Sequence, residues 1–331
     1  MRQKEFENRY QQTWDAFAQK LDQVESIKRR KSVLNNDLKR YDEDYRTLCY
    51  CLSLARERQY SPYLIKRLEK LVFRGHQVFY QRKIGIFYQI YRFILFGFPA
   101  AVRKQSKFIW IATGIFYLPA LIIFALVLLF PELVYSIVEP GQVAEIESMY
   151  DPGLDKIGRG RDRASDTDFA MFGHYVWNNI GIAFREFAGG FMATLGTLFY
   201  LIFNALFFGA LSAHMINAGF EQPFFTFVSG HAPYELTGIV LAGAAGIKLG
   251  WAIISPGNFS RKQALINVGR ECMVLVYGAI FLLLIAAFVE AFWSSNASIA
   301  PIIKYSVGIA GWLLVIVYLT LMGRGRIGES E

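Results

Sequence analysis

The stretch that decides the fold is GHAPYELTGIVLAGAAGIKLGWAIISP, residues 230–256. It is apolar and long enough to cross a bilayer as a helix, for which about 20 residues suffice. Two ionisable side chains, His231 and Glu235, lie four residues apart near its start. Small residues recur at every fourth position after them: Gly238, Ala242, Gly246 and Gly250. Because such a face allows helices to pack closely in lipid, the stretch predicts a polytopic membrane protein.

Composition and charge support a membrane class. The chain is 54% hydrophobic and 16% aromatic. Residues 1–107 contain 23 Lys and Arg against 11 Asp and Glu, whereas residues 131–173 contain 9 acidic and 4 basic residues. Cytoplasmic loops carry the excess of Lys and Arg, so we predict a cytoplasmic N-terminus and an acidic outer loop at 131–173. Since the basic region adjoins a membrane span, we expect it to contact anionic lipid and expect no nucleic-acid partner.

Residues 1–83 show the apolar periodicity of helices. In the first segment the apolar residues step by three or four: Phe6, Tyr10, Trp14, Phe17 and Leu21. Residues 34–55 alternate steps of four and three, which is typical of a coiled-coil seam. Ser61 and Pro62 then supply a cap and a first-turn proline for a third helix. We predict a three-helix cytoplasmic bundle over residues 1–83, with a coiled-coil dimer through the second helix as the alternative.

Residues 84–107 connect this bundle to the membrane. The segment 84–98 is dense in Phe and Tyr but too short to span a bilayer, and the basic residues Arg103 and Lys104 follow it. Segments of this kind lie along the headgroup boundary. The pattern predicts an interfacial elbow helix with a basic flank.

The predicted membrane domain covers residues 108–326 and is followed by a short tail at 327–331. Five apolar segments are long enough to cross: 108–130, 188–213, 233–254, 273–293 and 302–322. Five crossings from a cytoplasmic N-terminus would place Arg261 and Lys262 outside, against the positive-inside rule. A sixth crossing by residues 174–187, as a broken half-helix, removes the conflict. We therefore expect an all-α bundle with five or six crossings.

The candidate polar site is the His231 and Glu235 pair, which the intervening proline would place in the first turn of its span. Three interpretations stay open: a structural lock, a metal or proton site completed by His174 and His214, and a catalytic pair. The spacing HxxxE lacks the second histidine of the HExxH zinc motif. We therefore expect a non-enzyme without a cofactor, and the sequence leaves metal binding open.

Other polar and small residues are expected to act in helix packing. Asn178, Asn179 and Asn204 are candidates for hydrogen bonds between helices. A second close-packing face consists of Gly189, Ala193 and Gly196. These small-residue faces could hold one bundle together or join two chains as a homo-oligomer. The pattern favours an interfacial anchor at Glu290 and a snorkelling side chain at Lys304.

From residue 150 onward, the chain resembles the stage II sporulation protein M family of bacterial membrane proteins. The resemblance rests on YDPG (150–153), MFGHYVWNNIGIAF (171–184), NALFFGAL (204–211), GHAPYELTGIVLAGAAGIKLG (230–250), SPG (255–257) and EAFW (290–293). The N-terminal ARERQYSP and RGHQVFY resemble the long, non-sporulating branch of that family. The resemblance implies a multi-pass protein of the bacterial inner membrane. In spore formers, the family member acts at the septal membrane with peptidoglycan hydrolases.

Three functions follow as hypotheses. The leading one is a membrane scaffold in envelope or membrane remodelling, whose outer loop recruits an envelope or cell-wall protein. The alternative is a transporter or transporter subunit with its site near His231 and Glu235. The third is an intramembrane metallo-hydrolase.

Overall fold

The computed structural model describes residues 2–27, 38–80, 86–151, 154, 157–158 and 168–324. Helices make up the regular structure of these residues, and no β-strand lies among them. The chain divides into two compact units, Met1–Gln89 and Ile90–Glu331. Residues 159–167 of the acidic loop and the tail at 327–331 lie outside the described part.

The first unit is a bundle of three helices, α1 (Gln3–Ile27), α2 (Leu38–Glu57) and α3 (Pro62–Tyr80). Its buried core contains these side chains: Phe6, Trp14, Phe17, Leu21, Leu48, Cys51, Leu52, Ala55, Leu64, Leu68 and Leu71. Ser61 caps α3, since its Oγ accepts from the backbone N–H of Leu64 at 3.4 Å. The predicted periodicity of the first and third segments therefore corresponds to the faces that meet in this core.

The elbow consists of α4 (Ile86–Arg92), a π-helical turn (Phe93–Gly97) and α5 (Phe98–Lys104). The large apolar side chains of α4 are exposed: Ile86, Phe87, Tyr88, Ile90 and Tyr91. Phe98, in contrast, is fully buried, and its ring lies so close to Gly278 that a Cβ there would overlap it. An exposed aromatic segment that leads into a buried anchor suits the headgroup boundary of a bilayer.

The second unit is a helical bundle. Its further elements are α6 (Ser106–Leu129), a 3₁₀ turn (Pro131–Ser136), α7 (Pro140–Met149), α8 (Asp168–Ala188), a 3₁₀ turn (Gly189–Met192), α9 (Leu195–Asn217), α10 (Glu221–Ile254), α11 (Arg261–Val289), a π-helical turn (Glu290–Ser294) and α12 (Pro301–Leu321). Among the described residues, five helices are long and apolar enough to cross a membrane: α6, α9, α10, α11 with its π turn, and α12. α10 is the central helix, and 72% of its apolar window is buried. The chain is therefore an all-α polytopic bundle.

The direction of α9 shows that α8 also traverses the bundle. Asn217, at the end of α9, donates to the backbone carbonyl of Val127, at the end of α6, at 2.8 Å. α6 and α9 consequently run parallel, so the chain must return between them, and α8 is the helix that returns. At 21 residues, α8 is about 31 Å long, the thickness of a bilayer core. The bundle thus has six traversing helices, and α8 is continuous rather than the broken half-helix expected.

The path of the chain defines two ends of the bundle. We call the end where α6 and α9 finish the cap end, and the opposite end the elbow end. Arg103 donates to the carbonyl of Met322 at 2.8 Å, so α12 finishes at the elbow end. The cap itself, residues 131–151 and 157–158, contains the first 3₁₀ turn and α7. Three of its valines are buried against α6 and α9: Val134, Val138 and Val143.

Three predicted spans begin more than one turn from the expected residue, and the one expected from residue 273 belongs to a helix that begins at Arg261. The span expected from residue 188 begins at Leu195, because Ala193 and Thr194 adopt left-handed backbone conformations with φ of 50° and 70°. The span expected from Pro233 begins at Glu221, so the proline lies inside a helix of 34 residues. Membrane bundles tolerate such a proline where neighbouring helices pack on the freed carbonyl, and Gly308 of α12 lies against the carbonyl of Ser229.

Candidate functional site

A cluster of buried ionisable side chains lies in the cap half of the bundle. His231 on α10 is 3% exposed. Its Nε2 lies 3.6 Å from Oε2 of Glu235, one turn further along α10. The predicted pair therefore lies together on one helix face, although within α10 and not in its first turn.

Glu290 completes this cluster. It is 8% exposed and begins the π-helical turn that ends α11. His231, Glu235 and Glu290 each offer one ligand atom, and these atoms lie within 4.8 Å of one another. Nδ1 of His231 lies 3.3 Å from Oγ of Ser294, the last residue of the same turn. The interpretation of Glu290 as an interfacial anchor differs from the structure, because Glu290 follows the buried Ala286 and Ala287 at helical spacing and lies on the same buried face of α11.

Asn179 brings α8 to the cluster. It is 2% exposed and lies beside the Glu290 carboxyl. Its Oδ1 accepts from Nδ2 of Asn178 at 3.0 Å. Yet Nδ2 of Asn179 and Oε2 of Glu290 have no hydrogen-bond partner in the described part of the chain. Two buried polar atoms thus lie at the cluster with unused bonding capacity, which is costly in an apolar interior.

The cap covers this cluster. Tyr150 packs edge-on against Phe227, the residue one turn before His231, with ring centroids 5.7 Å apart. The N–H of Ile157 donates to the carbonyl of Ser295 at 3.0 Å. Burial raises the pKa of the Tyr150 phenol well above its usual range, and the neighbouring Glu290 carboxyl contributes. The first residue of the YDPG stretch therefore closes the bundle above the carboxylates.

The other two histidines lie elsewhere. His174 is exposed on α8, and its ring contacts Tyr175. His214 is buried near the end of α9, and its Nε2 lies 2.8 Å from Oε1 of Glu147 in the cap. The structure thus supplies Glu290 to the cluster in place of His174 or His214, which were expected from sequence.

Lys304 also differs from its expected placement. It is 1% exposed instead of extending towards the interface. Its Nζ donates to the backbone carbonyl of Ser294 at 2.7 Å. A cation therefore supports the π-helical turn that carries Glu290 and Ser294.

A second buried carboxylate, Glu186, lies towards the elbow end of α8. Its Oε1 accepts from Nδ2 of Asn204 on α9 at 3.0 Å, and its backbone carbonyl accepts from Thr197 at 2.7 Å. Asn204 thus joins two helices, as its position suggested. The Glu186 side chain is therefore fully buried inside the bundle.

The small residues of α10 contact other helices of the same chain. A Cβ on Gly238 would lie 2.8 Å from the Leu283 side chain of α11, and one on Gly250 would overlap Thr194. Ala242 is 1% exposed in the core shared with α11. Gly189 and Gly196 lie against each other, so that a Cβ on either would overlap the other's backbone. The α10 face is therefore used within one chain, whereas Gly189, Ala193 and Gly196 belong to the turn between α8 and α9 and do not form one helix face.

The fold and the covered cluster define a class: a polytopic α-helical membrane protein with carboxylates buried between its helices. Residues 120–295 match the sequence model of the family described as Stage II sporulation protein M. Because this match covers more than half of the chain, the chain belongs to that family. Residues 4–81, which contain the three-helix bundle, match a Domain of unknown function (DUF8413). No curated protein and no solved structure matches the chain.

Proposed function

We propose that this integral membrane protein is a scaffold whose cap recruits an envelope protein. The observation that carries the proposal is the folded state of the cap. Its valines are buried against the ends of α6 and α9, whereas three of its carboxylates are exposed: Glu132, Glu139 and Glu145. A fixed surface of this kind supports protein recognition, because little conformational entropy is lost when a partner binds it.

Charge supports an outward-facing cap. Basic residues gather at the elbow end: Arg103, Lys104, Lys107, Arg261, Lys262 and Arg324. By the positive-inside rule this end faces the cytoplasm of a bacterial inner membrane, and the three-helix bundle precedes it in the chain. The exposed aromatics of α4, which precede Arg103 and Lys104 in the chain, and these cations favour binding to anionic lipid.

Transport receives less support from the structure. A transporter needs a water-filled route to its polar site. Two cavities, of about 280 and 390 Å³, are lined by other residues, such as Arg185 and Lys248. Neither cavity has His231 or Glu235 in its lining. Burial of most of α10 likewise favours a rigid core over a substrate path.

Photo-crosslinking in living cells tests the scaffold. A photoreactive amino acid is placed at Glu139 or Glu145 of the cap, and adducts are identified by mass spectrometry. The matched control is Leu118, an exposed residue in the middle of α6. We expect one envelope protein to dominate at both cap positions and to be missing at the control. Adducts only with the chain itself or with lipid would overturn the proposal.

A further inference from the structure

Three ligand-bearing side chains converge in the cap half of the bundle without bonding one another. The 3.6 Å between Nε2 of His231 and Oε2 of Glu235 is too long for a hydrogen bond. Oε2 of Glu290 has no hydrogen-bond partner among the described residues, although its residue is 8% exposed. Groups that only stabilised the fold would be expected to bond directly, because an unsatisfied buried carboxylate oxygen is costly.

We propose that His231, Glu235 and Glu290 bind a divalent metal ion with the ligand preference of Zn²⁺. Zinc binds imidazole nitrogen and carboxylate oxygen at about 2.0–2.2 Å, so ligand atoms around it lie roughly 3.3–3.5 Å apart. The His231 to Glu235 distance of 3.6 Å is close to this value. The three ligand atoms lie within 4.8 Å of one another. Small side-chain rotations would bring them to the separation that zinc ligands have.

Charge also favours a cation at this position. Among the ion pairs of the described residues, Glu235 has only His231 as its partner, and Glu290 has none. Lys304, the nearby cation, directs its Nζ to the Ser294 carbonyl. Two carboxylates this close cannot both ionise in an apolar interior unless a positive charge offsets their repulsion and desolvation. A divalent cation supplies that charge.

The surrounding contacts have the arrangement that metal-binding histidines require. Nδ1 of His231 is held by Oγ of Ser294 at 3.3 Å, which leaves Nε2 for the metal. Asn179, 2% exposed, lies beside the Glu290 carboxyl with its Nδ2 unpartnered. Its free Nδ2 is therefore a donor available to the carboxylate that α11 provides.

The site is covered, which indicates a structural ion. Tyr150 and Phe227 close it on the cap side. His231 and Glu235 come from α10, whereas Glu290 comes from the π-helical turn of α11. The ion would therefore hold the end of α11 to α10, beneath the cap. The second oxygen of either carboxylate can complete its coordination.

Metal stoichiometry of the purified full-length protein tests the site. The protein, in detergent, is stripped with a chelator, loaded with Zn²⁺, desalted and measured by elemental mass spectrometry. We expect one Zn²⁺ per chain for the unaltered protein and His214→Gln, and less than about one fifth of that for Glu290→Gln and His231→Gln. His214→Gln is the matched control, because it alters a buried histidine that lies outside the cluster.

Thermal unfolding of the stripped, unaltered protein gives a readout that depends on no variant. Zn²⁺ at 100 times its Kd should raise stability by about 2.7 kcal/mol, a shift of several degrees in Tm. Absence of both bound Zn²⁺ and a Tm shift in the unaltered protein would overturn the proposal. Full retention of Zn²⁺ by folded Glu290→Gln and His231→Gln would overturn it as well.

Discussion

Nε2 of His214 and Oε1 of Glu147 lie 2.8 Å apart and join the last turn of α9 to α7 in the cap. The histidine side chain is 9% exposed and the carboxylate 33% exposed, so the contact is partly shielded from water. It is a polar tie in a cap that is also held by the apolar packing of its valines and by the hydrogen bond from Ile157 to Ser295. The rigidity of the cap, on which the scaffold proposal rests, therefore depends in part on this pair.

Glu147→Ala should loosen the cap. Loss of a partly exposed, charge-assisted contact costs about 1 kcal/mol, which corresponds to roughly fivefold more frequent local opening. Limited proteolysis of the protein in detergent measures this as a faster cut within residues 131–158. Glu145→Ala is the control, because Glu145 lies on the same helix and is exposed. Equal cleavage of the two variants would contradict the role of the contact.

Gly246→Ala should destabilise the bundle. A Cβ there would lie 2.6 Å from the Glu186 carbonyl oxygen and would also overlap Thr197. Overpacking of this kind costs about 1–3 kcal/mol. Unfolding in detergent, followed by circular dichroism, should show the loss.

The control for this prediction is Gly114→Ala on α6, where an added Cβ meets nothing within 4 Å. Alanine is preferred over glycine inside a helix by about 0.5–1 kcal/mol, so this change should be neutral or slightly stabilising. If Gly246→Ala were as stable as Gly114→Ala, the close approach of α10 to α8 would be refuted.

Features that depend on local periodicity were predictable from sequence. The five apolar helices follow from length and hydropathy, and the pairing of His231 with Glu235 follows from their spacing of four. α8 was uncertain because its polar residues, such as Asn179 and Glu186, obscure an apolar face. Their environment becomes clear only when the path of the chain shows that α9 runs parallel to α6.

Glu290 could not be assigned from sequence for a different reason. It begins the π-helical turn on the same face as the buried Ala286 and Ala287, but the sequence does not show that the cap covers this end of α11. The burial of Lys304 has the same origin, since it bonds to the carbonyl of Ser294 in that turn. The break at Ala193 and Thr194 could not be predicted, because neither left-handed position is a glycine, the residue that usually marks such a conformation.

The two cysteines of α2 should differ in reactivity. Cys51 is fully buried in the three-helix core, whereas Cys49 is partly exposed. Burial raises the pKa of the Cys51 thiol, so less thiolate forms there as the pH rises. We expect a maleimide at pH 7.5–9 to modify Cys49 first, as read by peptide mass spectrometry.

The same pKa shift has a consequence for stability. Because the folded state holds the Cys51 proton more tightly, this contribution to stability is present below the unfolded pKa of about 8.5 and is lost as the pH rises through the higher folded value. Leu68→Ala, which opens the same core, should increase modification of Cys51 but not of Cys49. Modification of Cys51 at the rate of Cys49 in the unaltered protein would contradict its burial.

The six-traverse path can be tested by cysteine labelling in intact cells. Glu139→Cys, Lys262→Cys and Arg324→Cys, each in a Cys49→Ser background, place exposed thiols at the cap end, at the start of α11 and after α12. If α8 crosses the membrane and the cap faces outward, an impermeant maleimide labels only Glu139→Cys until the cells are permeabilised. Five crossings would instead place Lys262 on the outer side as well. Labelling of both Glu139→Cys and Lys262→Cys in intact cells would therefore show that α8 does not cross. Reversal of the whole bundle would instead label Lys262→Cys and leave Glu139→Cys unlabelled.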